Sequence, residues 1–445
     1  MRPWLFLVGI VIAACDTVPQ WGFDQIDSIP TPPDPALVCG TVVPSSQAGP
    51  RASCAFGAGA RVAETLGIEA TVSQSIPIRH VIVVMKENRS FDHIFGRLHD
   101  LGQPDSEAVP AGFQNPDSSG APVSPFHATS TCIPFDPGHQ SSSMAAAVDG
   151  GAMDGFVKSA ASSTGTDGHF VMSQYDDTDL PFYYWLANTY ALSDRHFASM
   201  LSGTFGNRNF LMFGTNAGVV DTGISYPNPN TPSIFRLLMS AGFTWRAYSD
   251  AGPLSDALGW KPGDPGVRSM RDFLDDLDRG QLPSVSFVDG REYVEDDHPP
   301  DDPGQRGDLQ VGEAWLAGIY GHLVASPQWQ RTAMIWTYDE AGGFADHVPP
   351  PRGCLTGGDQ GWPDPSFGPR ISLVMISPWA RRHYVSHVVH DQTAITRFIE
   401  AVFDLPALTR RDANSDALFD LLDFSCGRDL TPPAGAPPAG AGGCQ

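Results

Sequence analysis

The sequence predicts an α/β fold: a mostly parallel central β-sheet with helices on both faces. Three observations carry that expectation. Short apolar runs recur along the chain, among them "HVIVVM" from His80, "SVSFV" from Ser284, "AMIW" from Ala333 and "ISLVMI" from Ile371. Each is too continuous for a strand with one wet face and suits a strand buried on both. Stretches with helical spacing lie between these runs, the grammar of strands joined by crossover helices. The 46 glycines and 40 prolines punctuate the joins, as long ordered loops on a compact scaffold require.

Taken in order, Val81 to Met85 form the first strand, and "SFDHIFGRLHD" follows as a helix. Residues 101–140 are rich in Pro, Gly and Ser and read as loop. "DLPFYYWLANTYALSDRHF", Asp179 to Phe197, has apolar spacing for a helix and then a short strand. "RNFLMFGTNAG" is a helix with glycine at its end. In "SIFRLLMSAGFTWRAYSD", Ile234, Leu237, Leu238 and Ala241 share a helical face, and Phe243 to Tyr248 is strand-like. "SMRDFLDDLDRGQLPSVSFVDG" repeats that unit. "EAWLAGIYGHLVASPQW" is a helix, "TAMIWTYDEAGG" and "RISLVMISPWA" contain buried strands, and "DQTAITRFIEAVFDLP" is an amphipathic helix.

The 445 residues divide into a signal segment (1–14), a tether and irregular segment (15–75), one large domain (76–430) and a Pro/Gly/Ala-rich tail (431–445) that reads as loose. "PWLFLVGIVIAAC" after Arg2 is too short to span a bilayer and fits a signal-peptide core. Its ending, Ile12-Ala13-Ala14-Cys15, resembles a bacterial lipoprotein signal, which would make Cys15 a lipid anchor and place the chain in the cell envelope, periplasmic or on the outer surface. A plain cleaved signal or an uncleaved anchor are the other readings. The remaining six cysteines suit disulfides in an exported chain. Loop length suggests Cys39–Cys54 and Cys426–Cys444, leaving Cys132–Cys354. With 27 basic and 50 acidic residues the net charge is −23. Such a surface repels nucleic acid and anionic bilayers at long range, so an anionic substrate needs local compensation.

That compensation is sought at the strand ends. The first strand runs into Glu87 and Asn88, and the strand around Ala333 to Trp336 runs into Asp339 and Glu340. Each pair alone reads first as a solvated turn. In a parallel sheet, however, both ends face the same rim, and adjacent carboxylates are costly without a cation between them. Together the four residues offer the hard oxygens that one divalent metal ion prefers. Thr204, in "SGTFGNRNFL", is either a helix cap or a nucleophile at a helix N-terminus, with Asn207 and Arg208 placed to hold an anion. His298 in "EDDHPP" and His139 in "PFDPGHQSS" are either surface histidines or groups that neutralise or protonate a phosphoester.

The segments "HVIVVMKENRSFDHIFG", "SGTFGNRNFL", "DDHPP" and "TYDEAGGFADHVPPP", in that order from Ile78 to Leu405, resemble the signature segments of the bacterial phosphoesterase family. That family includes the phosphatidylcholine-type phospholipases C and the AcpA-type acid phosphatases. The resemblance implies an alkaline phosphatase-like three-layer sandwich and metal-dependent hydrolysis of a phosphoester, a phospholipid or a small phosphomonoester, through a phosphothreonine. It implies Glu87, Asn88, Asp339 and Glu340 as metal ligands, Thr204 as nucleophile, and His298 and His139 as catalytic groups. Asp346 and His347 match the family's Asp-His-Val pair. Ala341 stands where many members have His, and Gly206 where a bulkier residue or Pro is usual. The competing expectation is a surface-anchored binding lipoprotein on a degenerate phosphoesterase scaffold.

Overall fold

The computed structural model describes residues 21–40, 47–67, 75–133, 135–221, 226–300, 307–356 and 365–443, apart from the side chain of Ser255. The lipidation signal and Cys444 lie outside them.

Eight strands form the central sheet: β1 (His80–Lys86), β2 (Ala191–Ser193), β3 (Trp245–Tyr248), β4 (Val267–Arg268), β5 (Val285–Val288), β6 (Thr332–Tyr338), β7 (Leu373–Ile376) and β8 (Tyr384–Ser386). Their spatial order is β8-β2-β7-β6-β1-β5-β3-β4. Only β7 runs against the others. Every residue of β1 and β6 is buried, so both faces are covered, as their unbroken apolar sequences require. The two edge strands β4 and β8 carry no sequence signal, because two or three residues are too few for a period to show.

The helices that matter here are α1 (Phe91–Phe95), α2 (Pro181–Thr189), α3 (Thr204–Phe213), α4 (Ile234–Ser240), α5 (Met270–Arg279), α6 (Leu309–Ala325) and α7 (Gln392–Phe403). Six of them pack in two groups, α2 with α6 and α5, and α3 with α7 and α4. α5 shows local sequence and packing agreeing: Ser269 and Asp272 close a capping box, Gly280 ends the helix in the left-handed region, and Met270, Phe273 and Leu277 form the buried stripe.

Four expectations are corrected. α7 forms where expected but is not amphipathic in place: all twelve residues are buried. Its polar groups are paired internally, with Arg397 2.7 Å from Glu400 and Thr396 Oγ1 donating to Leu211 O at 2.7 Å. The outer face is covered by the supposed tether, Val62 and Leu66 clustering with Ala401 and Arg397 bonding Thr65 Oγ1. Much of residues 21–67 therefore belongs to the domain: Trp21, Phe23 and Ile26 join the main core. The disulfides are Cys39–Cys426 and Cys54–Cys354, not the short-range pairs expected, and Cys132 is bonded elsewhere than to Cys354. Sequence proximity misleads because the segment carrying Cys39 and Cys54 meets chain 387 and 300 residues further on. The tail is also tied down, as Gly440 N donates to Glu313 Oε2 at 2.7 Å and Gly443 N to Asp308 Oδ2 at 2.8 Å.

Candidate active site

The parallel register brings the two acidic strand ends together. Lys86 on β1 pairs with Tyr338 on β6, so Glu87 and Asp339 leave the sheet side by side. Asp339 N donates to Lys86 O at 3.0 Å, Asn88 N to Asp339 Oδ1 at 3.3 Å and Arg89 N to Glu340 O at 3.1 Å. Asn88 holds a left-handed φ of 62°, and Gly342 lies so close that a Cβ there would sit 2.4 Å from Asn88 O. Glu87, Asn88, Asp339 and Glu340 are all buried.

Thr204 opens α3 after an extended Gly203. Its hydroxyl donates to Glu87 Oε2 at 3.3 Å. Arg208, one turn on and therefore on the same face, contacts Glu87 Oε1 at 2.7 Å, Asp339 Oδ2 at 3.3 Å and Asp289 Oδ1 at 3.0 Å. Asn207 accepts from Met200 N at 2.9 Å and donates to Ser202 O and Gly203 O at 2.8 and 3.1 Å. The protein contacts of Asn207 and Arg208 are positioning ones. Asn207 shapes the loop that presents Thr204, and Arg208 braces three carboxylates. At Gly206 a Cβ would meet Met200 Sδ at 2.7 Å and Val219 O at 3.1 Å, so a larger residue there displaces the Met200 side chain.

His298 accepts from Asn88 Nδ2 at 2.9 Å through Nε2, while Nδ1 bonds the Pro299 carbonyl. A carbonyl only accepts, so Nδ1 carries the proton. Nε2 lies 3.9 Å from Glu87 Oε2. The His298 loop rests on a buried network in which Asp297 receives Lys86 Nζ at 2.8 Å, Tyr183 OH at 3.0 Å and Tyr338 OH at 2.8 Å. His139 stands edge-on to His298, ring centres 5.9 Å apart, with Asp136 3.5 Å from its Nδ1. Burial alone would lower the His139 pKa, but Asp136, Glu340 and Asp339 raise it to about 9.

Asp346 and His347 are brought to the same region but turned to other partners. Asp346 bonds Arg370 Nε at 2.9 Å and His347 bonds Asp92 Oδ2 at 2.7 Å, while Arg370 also reaches Asp92 at 2.8 Å. This cluster ties α1 to the loop after β6, which steadies Asn88 against Glu340. The aromatic run at Phe182 to Tyr184 is buried in the core.

Sequence reasoning missed Asp289, Asp92, Asp136 and Gln392, whose Nε2 donates to Asp339 O at 2.5 Å. Asp289 was detectable: "VSFVDG" is a third apolar strand ending in an acid, on the strand next to β1.

The donor set fits a divalent cation. Asn88 Oδ1 and Glu340 Oε1 are buried without a hydrogen-bond partner, and Asn88 has given its amide NH₂ to His298. Three buried carboxylates, Glu87, Asp289 and Asp339, share the single guanidinium of Arg208, and a fourth, Glu340, is buried beside Asp339. Burial, then the neighbouring Asp339, pushes Glu87 well above the usual carboxylate range against the pull of Arg208. Burial likewise pushes Glu340 up to about 8, with His139 opposing and Asp339 adding. A hard cation relieves that crowding.

A hydroxyl at a helix start, a cation-type oxygen set and two histidines define a phosphoryl-transfer class of site. The family model described as "Phosphoesterase family" matches residues 78–406. The chain belongs to the phosphoesterase family and is a hydrolase of phosphoric esters. It is similar to non-specific phospholipase C1 of Arabidopsis thaliana, 29% identical over 76% of this chain and 69% of that protein. Phospholipase C B of Mycobacterium tuberculosis is 29% identical over 85% of this chain and 82% of its own length. Non-hemolytic phospholipase C of Pseudomonas aeruginosa is 28% identical over 73% of this chain, which covers 54% of that protein. Among solved structures, phosphonate monoester hydrolase of Agrobacterium radiobacter shares 13% identity and a TM-score of 0.38 over 78% of this chain and 77% of that one.

Proposed function

We propose that this chain is an exported phospholipase C that cleaves zwitterionic phospholipids through a phosphothreonine on Thr204, with one divalent metal ion held by Glu87, Asn88, Asp339 and Glu340. The observation that carries the reading is the Thr204 hydroxyl, fixed at the start of α3 and 3.3 Å from Glu87 Oε2 on the rim where the oxygen donors converge. The names of the relatives supply the substrate class. Two exposed apolar residues flank the site: Phe135 precedes Asp136, and Val294 follows Tyr293, whose ring packs edge-on 4.8 Å from His298. They suit an acyl-chain surface, and the net charge of −23 disfavours an anionic one. Disulfides between distant segments fit an oxidising compartment, and lipidation at Cys15 is part of the same proposal. A non-catalytic binding scaffold finds no support in this arrangement.

When bound, the cation would lower the barrier by neutralising phosphoryl oxygens and acidifying a nearby hydroxyl. The chain's own residues do the rest. The Thr204 proton passes toward Glu87, which already accepts its hydrogen bond. Thr204 Oγ1 forms a bond to phosphorus as the bond to the diacylglycerol oxygen breaks. The His139–His298 pair, of which His139 is the charged member, protonates the departing oxygen. The first backbone N–H groups of α3 receive the anionic oxygens. Water then attacks the phosphothreonine, releasing the phosphorylated headgroup and restoring the hydroxyl.

The test compares phosphatidylcholine vesicles with p-nitrophenyl phosphate, with and without chelator, on the full chain. Thr204→Ala loses about 10³-fold or more, and Thr204→Ser retains far more. Headgroup release unaffected by Thr204→Ala or by chelator would refute the mechanism. Turnover of the monoester alone would refute the substrate class.

A further inference from the structure

A second cluster of cation ligands lies apart from the phosphoryl site. His390 follows β8, while Asp416 and Asp420 stand on the segment after α7, and all three line a cavity of about 730 Å³ together with Arg51, Val388 and Val389. His390 is 1% exposed, and its Nε2 has no hydrogen-bond partner. That nitrogen points between Asp416 Oδ1 at 3.8 Å and Asp420 Oδ1 at 3.7 Å, and Asp420 Oδ1 also lacks a partner. These separations are too long for hydrogen bonds. They are close to the spacing of about 3.3–3.5 Å between ligands that share one tetrahedral ion with bonds near 2.0–2.2 Å.

The opposite atom of each side chain is tied outward. His390 Nδ1 bonds Ser193 Oγ at 3.1 Å, Asp416 Oδ2 receives Arg51 NH2 at 2.8 Å, and Asp420 Oδ2 accepts from Ser386 Oγ. This is the outer-shell pattern of a metal ligand, where one atom is oriented by the protein so the other faces the ion; Asp416 Oδ1 also accepts from Leu418 N at 3.2 Å, which leaves it a second lone pair. The contrast with His127, Asp176 and Asp179 is instructive. There the histidine is half-exposed and already bonded to Asp179 at 2.7 Å.

We infer that His390, Asp416 and Asp420 form a second divalent-cation site, of imidazole-plus-carboxylate type suited to Zn²⁺, with its remaining coordination position open to the cavity. An ion there clamps the start of α7 to the C-terminal segment. The clamp also reaches the catalytic rim, since Asp391 Oδ2 accepts from Ser199 Oγ at 3.0 Å and Gln392 holds the Asp339 carbonyl.

The test uses the full chain, stripped of metal, with Glu87→Gln and Glu340→Gln to disable the first site. After dialysis against micromolar Zn²⁺, about one ion per chain is expected, and adding Asp416→Asn with Asp420→Asn weakens its retention by about tenfold or more. No retained ion, or an ion indifferent to those two substitutions, would overturn the inference. Should the Asp416/Asp420 variant not fold, anomalous scattering from zinc-soaked crystals of the parent decides. A peak about 2.0–2.2 Å from His390 Nε2 supports the site, and its absence there overturns it.

Discussion

Replacing Gly342 by alanine perturbs the catalytic rim without altering any of its polar groups. Gly342 has φ +61°, and its N–H donates to Glu340 Oε2 at 2.6 Å. An added Cβ would lie 2.4 Å from Asn88 O and 2.5 Å from Asn88 Cβ. Restoring an ordinary contact of 3.4 Å moves one loop against the other by about 1 Å. A shift of that size at a reacting centre costs about 10²-fold in rate. The left-handed backbone adds a strain of about 1–2 kcal/mol for alanine. Gly165→Ala separates the two effects: Gly165 ends the helix Phe156–Thr164 at φ +71° with nothing within 4 Å of an added Cβ. Steady-state hydrolysis and thermal unfolding are measured on both variants. Both lose similar stability from strain, and only Gly342→Ala loses activity. Equal activities in the two variants would refute the claim that Asn88 and the loop after β6 are held in register by this close approach.

Other consequences follow from the same contacts. Asp289→Asn replaces charge-assisted bonds from Arg208 by neutral ones while Glu87 and Asp339 still pair the guanidinium, and costs about 1 kcal/mol in denaturant unfolding; a loss of about 3 kcal/mol or more would mean that Asp289 is the principal counter-charge. Replacing Cys54 and Cys354 together by serine frees a 300-residue loop and costs about 2–4 kcal/mol, read as a lower melting temperature in the absence of reductant. Burial pushes Glu313 up to about 7 against the N–H groups of Gly440, Tyr183 and Phe182. Between its ordinary 4.5 and about 7 the folded chain keeps a proton that the unfolded chain releases, so this group makes stability fall as pH rises through that window. Wild type should lose stability relative to Glu313→Gln across it, and a constant difference would contradict the assignment.

The sequence by itself determined the central strands, the helices between them and the residues on the rim. Apolar runs such as Val81–Met85 have one low-energy destination, a strand buried on both faces, and polar pairs at their ends must then lie at the sheet's edge. Only the tertiary structure decided what those polar groups face. Arg208 was legible as a cation near an anion site, yet its partners proved to be Glu87, Asp289 and Asp339, because the turn of α3 aims it along the same direction as Thr204. The burial of all of α7, the long-range disulfides and the His390–Asp416–Asp420 cluster were equally hidden from sequence. The disulfides and the cover over α7 join segments hundreds of residues apart, the cluster joins a strand end to the loop after the next helix, and periodicity reports only on neighbours along the chain.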